Sequence, residues 1–458
     1  MSTMNETERL IALDQKALFH PFSSIRDIHD NGVTVMSSGK GLMLTDSNGR
    51  EYLDAMAGLW CANVGYGREE IIEAMSEQAR RFSYFHAFNS NIADVSIRCA
   101  EKILSFAPQN MSKVFFGCSG SDGNETNLKL IWFYNSLRGK PQKKKILSRM
   151  GSYHGSGVAS GSLSGLPGMH QHFNMPISGD FLYIERPLFY RDAPAGMSER
   201  EFSQLLARKL DERIQQEGPD TVAALFCEPL MGAGGLIPMP EGYFEAIQPV
   251  LKKHDALLVA DEVITGYGRL GSCWGSDAVG MKPDIMTTAK GITSGYFPLS
   301  ASIISQDIWD VFAGDPTATA VFSHGFTYSA HPVGAAAALA NLAIIENEGL
   351  IANAKNMGAY LHETLRAAIS DHPLVGDVRG FGLIGGIELV KDKTSKEQFP
   401  MPMRVGRQLY KILFELGMVS RVLGDTLVFA PALTINKEQA DRIVTTFAKG
   451  LDLLVKKL

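Results

Sequence analysis

Two residues at the ends of apolar runs carry the strongest chemical signal in the chain. Asp261 closes Leu257-Leu258-Val259-Ala260, and Lys290 follows Asp284-Ile285-Met286-Thr287-Thr288-Ala289. An apolar run ending in an acid reads as a strand with its carboxylate at the C-terminal edge of a sheet, where open α/β folds place their ligands. A turn or capping acid is the plainer reading. A lysine so placed is either a solvated charge or a desolvated amine able to form a Schiff base with a carbonyl. Two turns add to this pair. Gly117-Cys118-Ser119-Gly120-Ser121 lies before a helical pattern, where small residues let backbone N–H groups approach a phosphate and the helix dipole favours an anion. Gly151-Ser152-Tyr153-His154-Gly155-Ser156 offers planar rings, for stacking on a ligand or for packing in the core. Lysine, aspartate, phosphate turn and ring together suit pyridoxal 5′-phosphate (PLP). Its aldehyde takes an amine, its ring nitrogen an acid, and its phosphate a cup of N–H and hydroxyl donors.

The elements around these residues are those of an α/β protein. Residues 113–116, 222–227 and 256–260 are short, nearly unbroken apolar runs, the pattern of strands covered on both faces. Stretches of helical period separate them, at 122–140 and 197–218. This alternation predicts a mostly parallel sheet flanked by helices over residues 66–330, the large domain. Beyond Pro332 the pattern predicts helices at 333–346 and 351–370, short strands within 374–390 and a last helix at 437–454. Residues 331–458, with the N-terminal segment 1–65, are expected to form a smaller α+β domain.

Composition narrows the partners. The 458 residues suffice for two or three domains, and 45% apolar with 20% charged residues is the balance of a chain with a large core. Lysine and arginine number 44 against 49 acids, a formal charge of −5, which suits neither nucleic acid nor an anionic membrane as main partner. The five cysteines form no C-x-x-C pair and read as isolated small hydrophobes in a reducing compartment. The N-terminus has no basic stretch before an apolar core, and the longest apolar stretch, 332–345, is too short to span a bilayer. A cytoplasmic protein is expected.

Two tempting motifs read as turns. Gly266-Tyr267-Gly268-Arg269-Leu270-Gly271 and Gly380-Phe381-Gly382-Leu383-Ile384-Gly385 both fit G-x-G-x-x-G. A dinucleotide fingerprint needs a strand before it and a helix opening within it. The first runs into Ser272-Cys273-Trp274, the second into a strand pattern. His170 and His172 have the spacing of two ligands on a strand but no third partner, so no metal is assigned.

With these motifs in view, the chain resembles the class III aminotransferases of the fold-type I PLP enzymes. Within them it is similar to the pyruvate-dependent, (S)-selective ω-transaminases acting on β-alanine, taurine, diamines or aryl amines. The resemblance runs from His20-Pro21-Phe22 to the C-terminal helix. It rests on Met56-Ala57-Gly58-Leu59-Trp60-Cys61, Ser119-Gly120-Ser121, Tyr153-His154-Gly155, Glu228-Pro229, Ala260-Asp261-Glu262-Val263, Ala289-Lys290-Gly291, His324-Gly325-Phe326-Thr327-Tyr328-Ser329 and Arg421 before Gly424-Asp425. It implies a fold-type I architecture in which Lys290 holds the cofactor as a Schiff base and shuttles the proton. Asp261 would pair with the ring nitrogen, Val263 and Tyr153 cover the two ring faces, and Glu228 lie near the ring's polar edge beside His154. Gly120 and Ser121 would hold the phosphate, joined by Thr327 of the neighbouring subunit in a homodimer, alone or paired into a tetramer. Phe22, Trp60, Phe88, Tyr153 and Ala233 would line the substrate pocket. Arg421 would take a substrate carboxylate and swing away for an uncharged group; Arg379 and Arg269 are the alternatives for that task.

The chain departs from the family at Asp122-Gly123-Asn124, where a glycine in the helix's first turn costs up to about 1 kcal/mol against alanine and predicts a looser phosphate end. Three other functions remain to be weighed: an aminomutase, epimerase or decarboxylase on the same fold; a nicotinamide oxidoreductase using Gly266 to Gly271; and a non-catalytic binding protein. Arg421 favours transfer to an α-keto acid, because a bidentate clamp suits the acceptor's carboxylate.

Overall fold

The computed structural model describes residues 4–314 and 321–458. Its centre is a seven-stranded sheet in the order Met111–Gly117, Ser300–Ser305, Ile285–Thr288, Leu257–Asp261, Val222–Cys227, Lys145–Arg149 and Phe181–Ile184. All neighbours pair parallel except Ser300–Ser305, which runs antiparallel to both of its partners. The mixed α/β fold expected from the apolar runs is the one observed. Every residue of Val222–Cys227 is buried, as a strand covered on both faces requires.

Helix boundaries follow capping chemistry more closely than apolar period. The helix expected over 197–218 spans Glu199–Glu217 and begins after Ser198, which forms a reciprocal capping box with Glu201. The helix expected from Asp122 starts earlier, at Gly120, because Ser119 caps it, and spans Gly120–Leu137. Gly123 overturns its sequence reading. A Cβ there would lie 2.8 Å from Thr287 Cγ2, so the glycine lets the helix settle on the strand Ile285–Thr288. Docking, and not looseness, is what it contributes.

Two four-stranded sheets flank the large one. The first joins the two ends of the chain: Met36–Lys40, Met43–Asp46 and Glu51–Asp54 are completed by Met418–Val419, which pairs parallel to Glu51–Asp54. The second, antiparallel, runs Val375–Phe381, Ile384–Leu389, Thr426–Phe429 and Arg421–Leu423, so Arg421 begins an edge strand. Both glycine-rich motifs are turns here. Gly268 and Gly271 take φ of 106° and 79°, with no helix before Gly275–Val279, and Gly382 at φ 59° turns the hairpin between Val375–Phe381 and Ile384–Leu389. His170 Nε2 meets the Gly161 carbonyl at 3.1 Å, on a short helix and not a strand. Among the described residues no single helix is long and apolar enough to cross a membrane.

Candidate active site

A cavity of about 290 Å³ opens at the C-terminal edge of the large sheet. Glu228 follows Val222–Cys227, Asp261 ends Leu257–Asp261, and Lys290 follows Ile285–Thr288. Gly120, Ser121, Tyr153, His154, Glu228, Asp261, Val263 and Lys290 all line it. Strand alternation separates the adjacent acids. Asp261 faces the cavity, while Glu262 turns into the core and accepts from Gly275 N–H (2.9 Å), Ser276 N–H (2.6 Å) and Thr265 Oγ1.

One end of the cavity is an anion cup. Ser119 Oγ accepts from Asp122 N–H at 3.2 Å, and the Asp122 carboxylate accepts from Cys118 and Ser119 N–H. Gly120 and Ser121 begin the helix, and their N–H groups have no acceptor among the described residues. Such open donors at a helix N-terminus attract phosphate. A Cβ on Gly120 would fall 2.8 Å from Val263 Cγ2, so the glycine keeps this wall clear.

The other end holds Asp261, only 5% exposed. Its Oδ2 accepts from His154 Nδ1 and from Asn124 Nδ2, each at 2.8 Å, and its Oδ1 accepts from Val263 N–H at 3.1 Å. Glu228 works on the loops beside it. Its Oε1 accepts from Tyr153 N–H (3.2 Å) and its Oε2 from Gly232 N–H (2.8 Å), and burial pushes its pKa up. The sequence reading missed Asn124 altogether. Its signal was a polar residue one turn beyond the Gly120-Ser121 pair, on the face the helix must bury.

Lys290 lines the same cavity at a left-handed φ of 43°. Trp60 (60°) and Phe22 (50°) share that conformation, which non-glycine residues adopt where the surroundings enforce it. Burial lowers the Lys290 pKa; Asp261 and Glu228 oppose that shift through space.

The remaining expected residues fall into two groups. Phe22, Trp60 and Arg421 lie beyond the residues that line the cavity: the Phe22 ring meets the lining residue Tyr153 edge-on at 6.1 Å, and the Arg421 guanidinium, which acts on Lys290 through space, lies over Trp60 at 4.6 Å. Arg421 is half-buried, desolvation lowers its pKa, and no carboxylate pairs with it among the described residues. Ala233 lies on the loop that Glu228 anchors, half-buried. Phe88 and Thr327, by contrast, stand together outside this cavity. Tyr84 Oη donates to the Thr327 carbonyl at 2.7 Å, and a Cβ on Gly325 would lie 3.1 Å from Phe88 Cζ.

The two alternative arginines are occupied. Arg379 pairs with Glu388 and Asp377, and Arg269 donates to the carbonyls of Leu383 (3.0 Å) and Pro431 (2.5 Å) and to Asn63 Oδ1 (2.8 Å). An open anion cup, a glycine wall, a buried carboxylate and a desolvated amine around one cavity are the donor set PLP needs, so the residues present fit that group.

Comparison with known proteins agrees. Residues 26–451 match the family model of the class-III aminotransferases. The chain is 46% identical to a diaminobutyrate–2-oxoglutarate transaminase of Halomonas elongata, over 99% of this chain and 98% of that one. It is 38% identical to a putrescine–pyruvate aminotransferase of Pseudomonas aeruginosa, over 98% and 97% of the two chains. An ω-transaminase of Pseudomonas jessenii, solved in complex with PMP, superposes with a TM-score of 0.95 at 42% identity, over 98% of each chain. Sequence motifs, cavity and relatives converge on one assignment: the chain belongs to the class-III aminotransferases, PLP-dependent enzymes of fold-type I.

Proposed function

We propose that this enzyme moves an amino group from an ω-amino acid or simple amine to pyruvate, using one pocket in alternation for both partners. The observation that carries this reading is Arg421, a half-buried cation stacked on Trp60 with no carboxylate partner among the described residues. A carboxylate substrate would supply that partner. An amine without one would leave the guanidinium on the aromatic face or released to water. Pyruvate carries a single carboxylate, which matches one open cation; a dicarboxylate acceptor would call for a second, and Arg269 and Arg379 are already engaged. The relatives named for diaminobutyrate and putrescine support a terminal amine as donor.

When bound, PLP supplies an aldehyde for the amine and a ring that withdraws electrons from the carbon being deprotonated. The chain's residues do the rest in this reading. Lys290 Nζ, its pKa lowered by burial, takes the proton from the substrate carbon and returns it one position away. Asp261 balances positive charge on the ring nitrogen, and Gly120 and Ser121 N–H hold the phosphate. Val263 and Tyr153 cover the ring faces. Phe22, Trp60 and Ala233 give the donor an apolar wall and exclude water.

Phe88 and Thr327 serve the partner's site. They share an exposed face with Phe82, Phe85 and Tyr328, too apolar to be left in water. A homodimer closed through this face would deliver Thr327 to the second phosphate cup. The strand pairing of Glu51–Asp54 with Met418–Val419 supports residues 1–65 and 331–458 as one small domain beside the 66–330 domain. All five cysteines are free, which supports a reducing compartment such as the cytoplasm.

The test is a donor screen of β-alanine, taurine, putrescine and an aryl amine. Alanine formation from pyruvate is followed beside glutamate formation from 2-oxoglutarate. Alanine should dominate. Faster glutamate formation would replace the acceptor while leaving the amino transfer intact.

A further inference from the structure

Asn124 lies on the helix Gly120–Leu137 that begins at the anion cup, and it is only 1% exposed. Its Nδ2 donates to Asp261 Oδ2 and to the His154 carbonyl, each at 2.8 Å, while its Oδ1 accepts from Thr287 Oγ1 at 2.6 Å. Thr287 Oγ1 in turn accepts from Asn127 Nδ2. A hydroxyl has one proton, and here it points at Asn124, so the donor direction is set from Asn127 through Thr287 and Asn124 to Asp261. Turning the Asn124 amide over would face its oxygen to the Asp261 carboxylate and break both outer links.

The consequence falls on Asp261. Its Oδ2 receives Asn124 and His154, whereas Oδ1 receives only the Val263 N–H at 3.1 Å, leaving one lone-pair direction open. The helix bearing Asn124 also carries Gly120 and Ser121, and Gly123 docks it closely on Thr287. The start of one helix therefore touches both the phosphate cup and the Asp261 carboxylate.

We infer that Asn124 is a positioning residue that, through the Asn127–Thr287 donor chain, pins Asp261 Oδ2 and presents Oδ1 to the cofactor's ring nitrogen. Asn124 thereby fixes the spacing between that oxygen and the phosphate cup. This rests on the reading of Asp261 as the ring-nitrogen partner. Asn124→Ala removes the pin. Thr287→Val removes both the donor to Asn124 and the acceptor of Asn127 Nδ2, with little change of shape, and so covers the case in which Asn124→Ala fails to fold.

The experiment is nitrogen-15 NMR of the holoenzymes reconstituted with ring-labelled PLP, alongside steady-state kinetics. The wild-type resonance should be that of a protonated, acid-paired ring nitrogen. It should move toward that of a neutral pyridine in Asn124→Ala and part of the way in Thr287→Val. Turnover should fall about 10- to 100-fold in Asn124→Ala, the usual scale for losing the partner that orients an active group, with KM for the amine little changed. A variant resonance coincident with a normal wild-type one, in every variant that folds, would overturn the inference alone. A wild-type nitrogen without the protonated signature would overturn the Asp261 reading and this inference together.

Discussion

Two groups of cations in this molecule, one buried and one half-buried, contrast in how their charge is met. Arg269 and Arg379 lie in the seam between the large sheet and the Val375–Phe381 sheet, 0% and 6% exposed. Acceptors surround them: Leu383, Pro431 and Asn63, all distant in the chain, for Arg269, and for Arg379 the distant Gly235 and Leu236 carbonyls with Asp377 and Glu388 from its own sheet. Even so, burial pulls the Arg269 pKa down to about 10. Lys290, which lines the cavity, and Arg421, which acts on it through space, have no such acceptors among the described residues. A cation whose acceptors the fold supplies is structural. One whose acceptor is left open is kept for a ligand, since leaving it unmet costs stability that only function repays.

The contrast is broken most sharply at Lys290. Lys290→Ala should lose turnover by several orders of magnitude, because no other amine can replace both nucleophile and proton carrier. The variant should still take up PLP through the phosphate cup, without the visible absorbance of a Schiff base. Near-normal turnover would remove the amine from the chemistry.

Asp261→Asn comes next, with a rate loss of roughly 100- to 1000-fold, the scale for removing one preorganised electrostatic partner. Its melting temperature should stay close to wild type. A large stability loss with little loss of rate per folded molecule would return Asp261 to the role of a turn acid.

Arg421→Ala should weaken the pyruvate half-reaction by about 2–5 kcal/mol and leave the half-reaction with a carboxyl-free amine nearly unchanged. Single-turnover kinetics, with each half-reaction followed alone, separates the two. Equal damage to both would make Arg421 a support for its edge strand.

Arg269→Met should show the reverse profile. It strands three acceptors, each worth about 1–3 kcal/mol when left unmet, so the melting temperature should fall steeply. Activity per folded molecule should change only a few-fold. A selective loss of pyruvate affinity would move the carboxylate site to Arg269.

The smallest effect is a pH dependence of the apoenzyme. Burial lowers the Lys290 pKa below its unfolded value, so between the two values the unfolded chain binds the extra proton and stability rises with pH. The melting-temperature difference between apo wild type and apo Lys290→Ala should therefore shift in favour of wild type as pH climbs toward about 10. A flat or opposite trend would mean the folded amine stays charged.

How much of this was legible beforehand depended on how local the cause was. Asp261 and Lys290 stood out because apolar, β-branched runs mark buried strands and place the residue that ends them at a sheet edge. The Gly120-Ser121 cup stood out because small residues before a helix have a direct geometric purpose. Gly123 was misread because helix propensity records only the local cost, while its use is a contact with Thr287 on another element. Asn124 was invisible because its partner lies 137 residues away. Arg269, Arg379 and Arg421 looked alike for the same reason: what distinguishes them is carbonyls and carboxylates brought in by the fold. The grouping of Phe88 with Thr327 likewise emerged only when two distant loops met.

The most direct measurement of the central claim is borohydride reduction of the purified holoenzyme, followed by peptide mass mapping. A single phosphopyridoxyl adduct is expected on the peptide containing Lys290, with the visible absorbance lost in step. An adduct on another lysine, or none on Lys290 while the enzyme still transfers amino groups, would contradict it.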